Sequence, residues 1–194
     1  AMRNESRYLA KLMTGQIARN MITAFFFNLN AIKSGASRPK HAPKWKAAKV
    51  GILGAGMMGA GIAWANATRR IPCVLKDLSL VQAEKGKAYS AKLLDKRIKQ
   101  GRSDAAGAQQ TLALIQATDS VDALTCCYLI IEAVFENREL KAQVTQEAEA
   151  KLAADVIFAS NTSTLPITSL AQAAQRPDHF VGLHFFSPVD KMQL

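Results

Sequence analysis

Val50-Gly51-Ile52-Leu53-Gly54-Ala55-Gly56-Met57-Met58-Gly59-Ala60-Gly61 passes from a short apolar run straight into a cluster of glycines. An apolar run of four residues bounded by a glycine turn reads as a buried strand, and the small residues after it as a helix. Gly54 allows the tight strand-to-helix turn, and Gly56 lets the backbone come close to a pyrophosphate. Gly59 lets the helix pack hard against the sheet, while the N–H groups that open the helix face phosphate charge.

Downstream, a second apolar run, Cys73-Val-Leu75, ends in Lys76-Asp77, which places Asp77 23 residues after Gly54. A carboxylate at the end of the next strand can accept hydrogen bonds from both hydroxyls of a ribose and would repel a 2′-phosphate. That choice selects NAD over NADP. A lone GxGxxG says little, but strand, glycines, helix, strand and acid in this order are specific.

Ser79 is placed to cap a long helix that reaches Gln100 and is closed by Gly101, and a second helix runs from about Asp104 to Leu114. Two helices between neighbouring strands exceed what a minimal crossover requires. Three more apolar runs follow, Tyr128–Ile131, Val156–Phe158 and Phe180–Leu183. Arg138–Leu152 reads as a helix between the first two, and Pro166 suits the first turn of another before the third. Nearly continuous apolar strands alternating with helices specify a parallel sheet covered on both faces. The fold class is therefore α/β, a Rossmann-type doubly wound, mostly parallel sheet, preceded by an amphipathic helix.

Ligands of such sheets bind beyond the carboxyl ends of the strands. The third run ends in Glu132-Ala-Val-Phe-Glu136, the fourth in Ser160-Asn-Thr-Ser-Thr164, and the fifth in His184-Phe-Phe-Ser187-Pro188. Strand direction alone gathers carboxylates, hydroxyls, an amide and one imidazole around a single crevice. His184 is the histidine with an argument for chemistry, because a neutral imidazole can take a hydroxyl proton while hydride leaves the same carbon. His179 reads as a surface turn and His41 lies in a linker. Thr162 or Thr164 is placed to cap the next helix. Met57 and Met58 read as helix-face packing, with Met58 also able to touch the cofactor.

The N-terminal part is different in character. Residues 1–49 hold ten Lys/Arg and one acid, whereas residues 50–194 hold fifteen Lys/Arg and fourteen acids, so the net charge of +10 belongs to an arm. Ile17, Met21, Ile22, Ala24, Phe25, Leu29 and Ile32 recur at helical spacing from Gln16 to Lys33, with Gly35 as a stop. Pro39 and Pro43 among lysines mark a linker, giving a basic connector over 1–45 and a dinucleotide-binding domain over 46–194. The phenylalanines are not interleaved with the lysines, which argues against a nucleic-acid surface. The Met21–Ile32 stretch is too short for a membrane span, which takes ~20 apolar residues, and carries two asparagines; no signal peptide is expected. Cys73, Cys126 and Cys127 sit in apolar stretches and read as buried free thiols of a reducing compartment, with spacing that suits neither a metal site nor a redox pair.

Five segments together resemble the NAD-binding domain of L-3-hydroxyacyl-CoA dehydrogenases, in the version found within the multifunctional α-subunit of fatty-acid oxidation complexes. They are Lys49–Gly59, Val74–Asp77, Ile131–Glu136, Ser160–Ile167 and Gly182–Pro188. The arm, with Leu12-Met-Thr-Gly15 and the triple phenylalanine, resembles the connector to an upstream enoyl-CoA hydratase/isomerase domain. The resemblance implies His184 as catalytic base and Ser163 as the group that hydrogen-bonds the reacting oxygen. It implies Gly54, Gly56, Gly59, Asp77, Val134, Phe135, Glu136, Lys141, Ser163, Ser187 and Met58 along the NAD path, and no metal. It further implies an acyl-CoA substrate, a thiolase subunit as partner and a bacterial-type cytoplasmic location, ahead of the mitochondrial matrix. Two departures stand out. Ser187 replaces the usual Asn, and the Glu that orients the histidine twelve positions on would be residue 196, so an enzyme of this kind needs more chain, including a helical domain. The tail from Phe185 through Met192, Gln193 and Leu194 is expected to be exposed without that domain. The alternatives left by the sequence are a non-catalytic NAD-binding module and another NAD-dependent hydroxyacid dehydrogenase.

Overall fold

The computed structural model describes residues 2–43 and 45–192, and the chain divides into two compact units, residues 1–45 and 46–194. Gln193 and Leu194, the end of the expected exposed tail, lie outside the described residues.

The first unit is helical. α1 (Met2–Met13) was not expected from the sequence; α2 (Gln16–Ile22), a π-helical segment (Thr23–Asn28) and α3 (Leu29–Lys33) follow it. Gly35, at φ +74°, ends the last of these, as its position suggested. The π turn carries the three phenylalanines, and most large apolar side chains of this unit, among them Leu9, Leu12, Ile17 and Phe25–Phe27, are exposed.

The second unit is a six-stranded, all-parallel sheet. Its strands are β1 (Val50–Leu53), β2 (Cys73–Lys76), β3 (Ile115–Thr118), β4 (Leu129–Glu132), β5 (Ile157–Ser160) and β6 (Phe180–Gly182), in the spatial order 3-2-1-4-5-6. α4 (Met57–Thr68), α5 (Leu80–Lys99), α6 (Ala105–Ala113), α7 (Arg138–Glu149) and the short α8 (Ile167–Ala171) connect them. Alternate strand residues feed two cores. Ile52, Leu75 and Ile131 pack on one face with Ile62 and Ala63 of α4, while Leu53, Val74 and Ile130 pack on the other with Ala148 of α7. The small residues of α4 bring it close to the sheet: a methyl at Gly59 would lie 1.7 Å from the Gly54 carbonyl oxygen.

β3 corrects the sequence reading, in which both helices after Asp77 led to the Tyr128–Ile131 run. Its Ile-Gln-Ala-Thr buries only Ile115 fully, because an edge strand presents half of its positions to solvent. α5 and α6 are thus one crossover, from β2 to β3. Ser79 caps α5 as expected, accepting from the Gln82 N–H at 3.3 Å. α8 is entered through Pro166 and not through a hydroxyl of Thr162 or Thr164, which are engaged elsewhere. Cys73 and Cys127 are buried, whereas Cys126 is exposed in the turn before β4. The described tail is partly anchored, since Phe185 and Val189 pack against the core and Tyr89 donates to Asp190 at 3.3 Å. Phe186 and Met192 are exposed, as expected.

Candidate functional site

β1 and β4 are neighbours in the sheet although their chains run to opposite halves of it, so a crevice opens beyond their carboxyl ends. The β1 side of this crevice is the glycine turn. Gly54 holds φ +94°, and a methyl on it would meet the Ala133 carbonyl oxygen at 2.7 Å, so both backbone conformation and space demand glycine. At Gly56 an added methyl would have nothing within 4 Å. Gly56 therefore keeps open a space next to the first free N–H groups of α4, where a phosphate fits. Asp77 Oδ2 accepts from the Ala55 N–H at 2.6 Å and Oδ1 from the Leu78 N–H at 2.7 Å. Each oxygen retains a lone pair for a ribose hydroxyl. Beside it, Leu53, Leu78, Val121, Val134 and Val144 line an apolar slot suited to a flat purine ring. These residues fit an NAD molecule.

The opposite side is built by carboxylates at the end of β4. Glu132, 1% exposed, accepts from Lys141 Nζ at 2.8 Å, the Val134 N–H at 2.8 Å and Ser160 Oγ at 2.8 Å. Lys141, 2% exposed, reaches from α7 to Glu132 and lies 3.2 Å from Glu136. Its ammonium is paired with both carboxylates that end β4 and the turn after it. Glu136 Oε1 in turn collects the turn after β5, accepting from the N–H groups of Ser163 at 2.9 Å and Thr164 at 3.0 Å and from the hydroxyls of Thr162 and Thr164. Partial burial pushes the Glu136 carboxyl up, but the bonds from Thr162, Thr164, Ser163 and Lys141 outweigh it and bring the pKa down to about 2.

His184 follows β6 and meets the Thr162 carbonyl through Nδ1 at 3.2 Å, with Phe186 edge-on at 4.9 Å. Ser163, the next residue after Thr162, is exposed at the same rim. Ser187 lies 3.9 Å from Met57 Sδ, so the segment after His184 returns to the glycine loop. Met57 is 72% exposed there, not packed on a helix face, whereas Met58 is half-buried. Phe135 is exposed at the rim. Sequence reasoning placed Asn161 at the crevice but missed its role, Oδ1 accepting from the Phe185 N–H at 2.8 Å, and the bonds of Thr162. Their only trace in the chain is the polar run directly after β5. Among the described residues no group of three His, Cys, Asp or Glu could hold a metal ion, and no helix is long and apolar enough to cross a membrane.

A parallel sheet in this order, with a glycine turn on β1 and an acid after β2, defines a dinucleotide-binding Rossmann domain. Residues 49–194 match the family of the 3-hydroxyacyl-CoA dehydrogenase NAD-binding domain, and the chain belongs to that family. Its cofactor is NAD. The chain is similar to (S)-3-hydroxybutyryl-CoA dehydrogenase from Ralstonia eutropha, at 40% identity and a TM-score of 0.74, over 77% of this chain and 53% of that one. It is similar to 3-hydroxybutyryl-CoA dehydrogenase from Escherichia coli K12, at 28% identity and a TM-score of 0.73, over 76% of this chain and 31% of that one. An NAD-dependent 5-formyl-3-hydroxy-2-methylpyridine-4-carboxylic acid 5-dehydrogenase is more distant in structure, at 28% identity and a TM-score of 0.61, over 74% of this chain and 46% of that one. The chain thus spans about half the length of the first of these relatives.

Proposed function

We propose that this chain is the cofactor-binding half of an enzyme that oxidises an L-3-hydroxyacyl-CoA to the 3-ketoacyl-CoA in fatty-acid β-oxidation. The observation that carries the reading is the imidazole of His184, held at the carboxyl edge of the sheet beside Ser163 and connected through Ser187 to the glycine loop. His184 removes the proton of the C3 hydroxyl, and the Ser163 hydroxyl donates to the same oxygen as it becomes a carbonyl. NAD, when bound, accepts the hydride that leaves C3. Asp77 holds the adenosine ribose, Gly54, Gly56 and Gly59 shape the pyrophosphate turn, and Val134, Phe135, Glu136, Met58 and Ser187 border the path, backed by Lys141.

On this reading the basic arm is the connector to an upstream enoyl-CoA hydratase/isomerase domain. A Glu twelve positions after His184 orients the imidazole, a downstream helical domain closes the acyl-CoA cleft, and a thiolase subunit completes the assembly. A reducing compartment, the bacterial-type cytoplasm before the mitochondrial matrix, suits the buried free thiols.

Titration with NAD and assay of acetoacetyl-CoA reduction test the reading. The chain binds NAD but turns over at least ~10³-fold more slowly than a two-domain relative, because a missing orienting carboxylate alone costs on the order of 10⁴ in triad-like sites. Near-normal turnover that survives His184→Ala would refute the roles of His184 and of the orienting carboxylate. Two other readings retain support. Spanning 53% of the first relative favours a non-catalytic NAD-binding module for the chain in isolation. The likeness to the pyridine-carboxylate dehydrogenase favours a different hydroxy substrate, which substrate profiling of a longer chain decides.

A further inference from the structure

We infer that Lys76 and Glu147 read the base of the dinucleotide: the Glu147 carboxylate accepts from the 6-amino group of adenine, and the Lys76 ammonium donates to a ring nitrogen beside it. The inference rests on the placement of the adenosine at Asp77, and it concerns which purine the slot beside that acid accepts.

The slot has apolar walls, Leu53, Val121, Val134 and Val144 among them, and three charged side chains, Lys76, Asp77 and Glu147. Apolar walls hold the faces of any purine and tell none from another; the ring edges carry the difference. Asp77 is committed to the glycine turn and the ribose, through its bonds from the N–H groups of Ala55 and Leu78. Lys76 and Glu147 remain for the base.

Both are placed by the fold. Lys76 ends β2 with its backbone fixed between Leu53 of β1 and Thr118 of β3. Strand alternation turns its side chain to the same face as Val74, which packs in the core with Ala148 of α7. The lysine side chain is accordingly only 15% exposed, and its ammonium meets the slot from the sheet. Glu147 comes from α7, next to Ala148, with its side chain 48% exposed. Lys76 Nζ and Glu147 Oε1 lie 3.9 Å apart, close enough for attraction and too far for a hydrogen bond. The charges therefore hold the two groups side by side while the donors of one and the acceptors of the other stay available. Adenine offers the matching edge, an amino donor at C6 flanked by acceptor ring nitrogens. A 6-oxo purine would instead turn a carbonyl oxygen toward the carboxylate.

Isothermal titration of the whole 194-residue chain with NAD and with nicotinamide hypoxanthine dinucleotide, its 6-oxo counterpart, reads this preference. NAD binds about tenfold more tightly, in the range of one good base contact. Glu147→Gln, whose amide can donate to the 6-oxo group, narrows the ratio. Lys76→Met keeps the apolar stem, frees the carboxylate from its partner and narrows the ratio too. A merely structural effect of either substitution weakens both dinucleotides alike and leaves the ratio unchanged. Equal affinities in the unaltered chain overturn the inference, and so does a ratio that survives either substitution. If a variant does not fold, the ratio in the unaltered chain still decides. A chain that binds neither dinucleotide loses the adenosine placement and this inference together. A chain that binds both equally, yet prefers NAD to NADP, keeps the role of Asp77 and loses only this one.

Discussion

Asp77 Oδ2 accepts a 2.6 Å hydrogen bond from the backbone N–H of Ala55, so the acid that ends β2 braces the glycine turn that ends β1. The ribose site and the pyrophosphate site are thereby one unit, and the carboxylate is held where a 2′-phosphate would place its charge. NAD should bind at least about tenfold more tightly than NADP, a difference of roughly 1.4 kcal/mol. Asp77→Ala should narrow that gap, as isothermal titration with both cofactors will show; equal affinities in the unaltered chain would remove Asp77 from the role.

Gly56 and Gly59 lie three residues apart but answer to different demands. Gly59→Ala would drive a methyl to 1.7 Å from the Gly54 oxygen, so a loss of at least about 3 kcal/mol, the upper end for overpacking, or no folding at all, is expected. Gly56→Ala meets nothing in the protein and sits at the α4 N-cap, where Ala in place of Gly costs less than about 1 kcal/mol. Its effect should fall on NAD instead, with affinity reduced at least tenfold, roughly 1.4 kcal/mol. Urea unfolding and NAD titration of both variants separate the two; a Gly56→Ala chain with undiminished affinity would contradict the open space assigned to phosphate.

Glu136 has its pKa lowered from 4.5 to about 2 in the folded chain. A carboxyl depressed by folding contributes stability that is fully present above its unfolded pKa and disappears as pH falls through the folded one. Stability should therefore decline between about pH 4.5 and about pH 2, and Glu136→Gln should flatten that part of the profile. Its half-open position keeps the effect modest. Chemical denaturation across this range would show parallel profiles if Glu136 were not the titrating group.

Burial pushes the Cys73 thiol up to about 12 and the Cys127 thiol up to about 11, which leaves little thiolate on either at neutral pH. Cys126 is exposed. A thiol reagent at neutral pH should therefore label Cys126 fast and the other two only as the chain unfolds. Rapid labelling that persists in Cys126→Ser would show that the core around Cys73 or Cys127 opens.

The glycine turn, Asp77, the helix cap at Ser79 and every strand but β3 were legible in the chain, because each rests on short-range chemistry. Turn conformation, apolar runs and a capping hydroxyl act over a few residues and leave their mark there. The split of charge near residue 49 was legible for the same reason. β3 was not, since Ile-Gln-Ala-Thr has no continuous apolar run and buries only Ile115 fully, and neither was the exposure of Cys126 beside a buried Cys127. The site shows the limit most clearly. The chain displays Glu136, Lys141, Thr162 and His184 as separate polar residues after separate strands. Only the parallel register of β4, β5 and β6 decides that one carboxylate gathers the turn after β5 and that the carbonyl of Thr162 faces an imidazole 22 residues later. Hydrogen bonds across such distances depend on where packing places the backbones, and no local pattern carries that information.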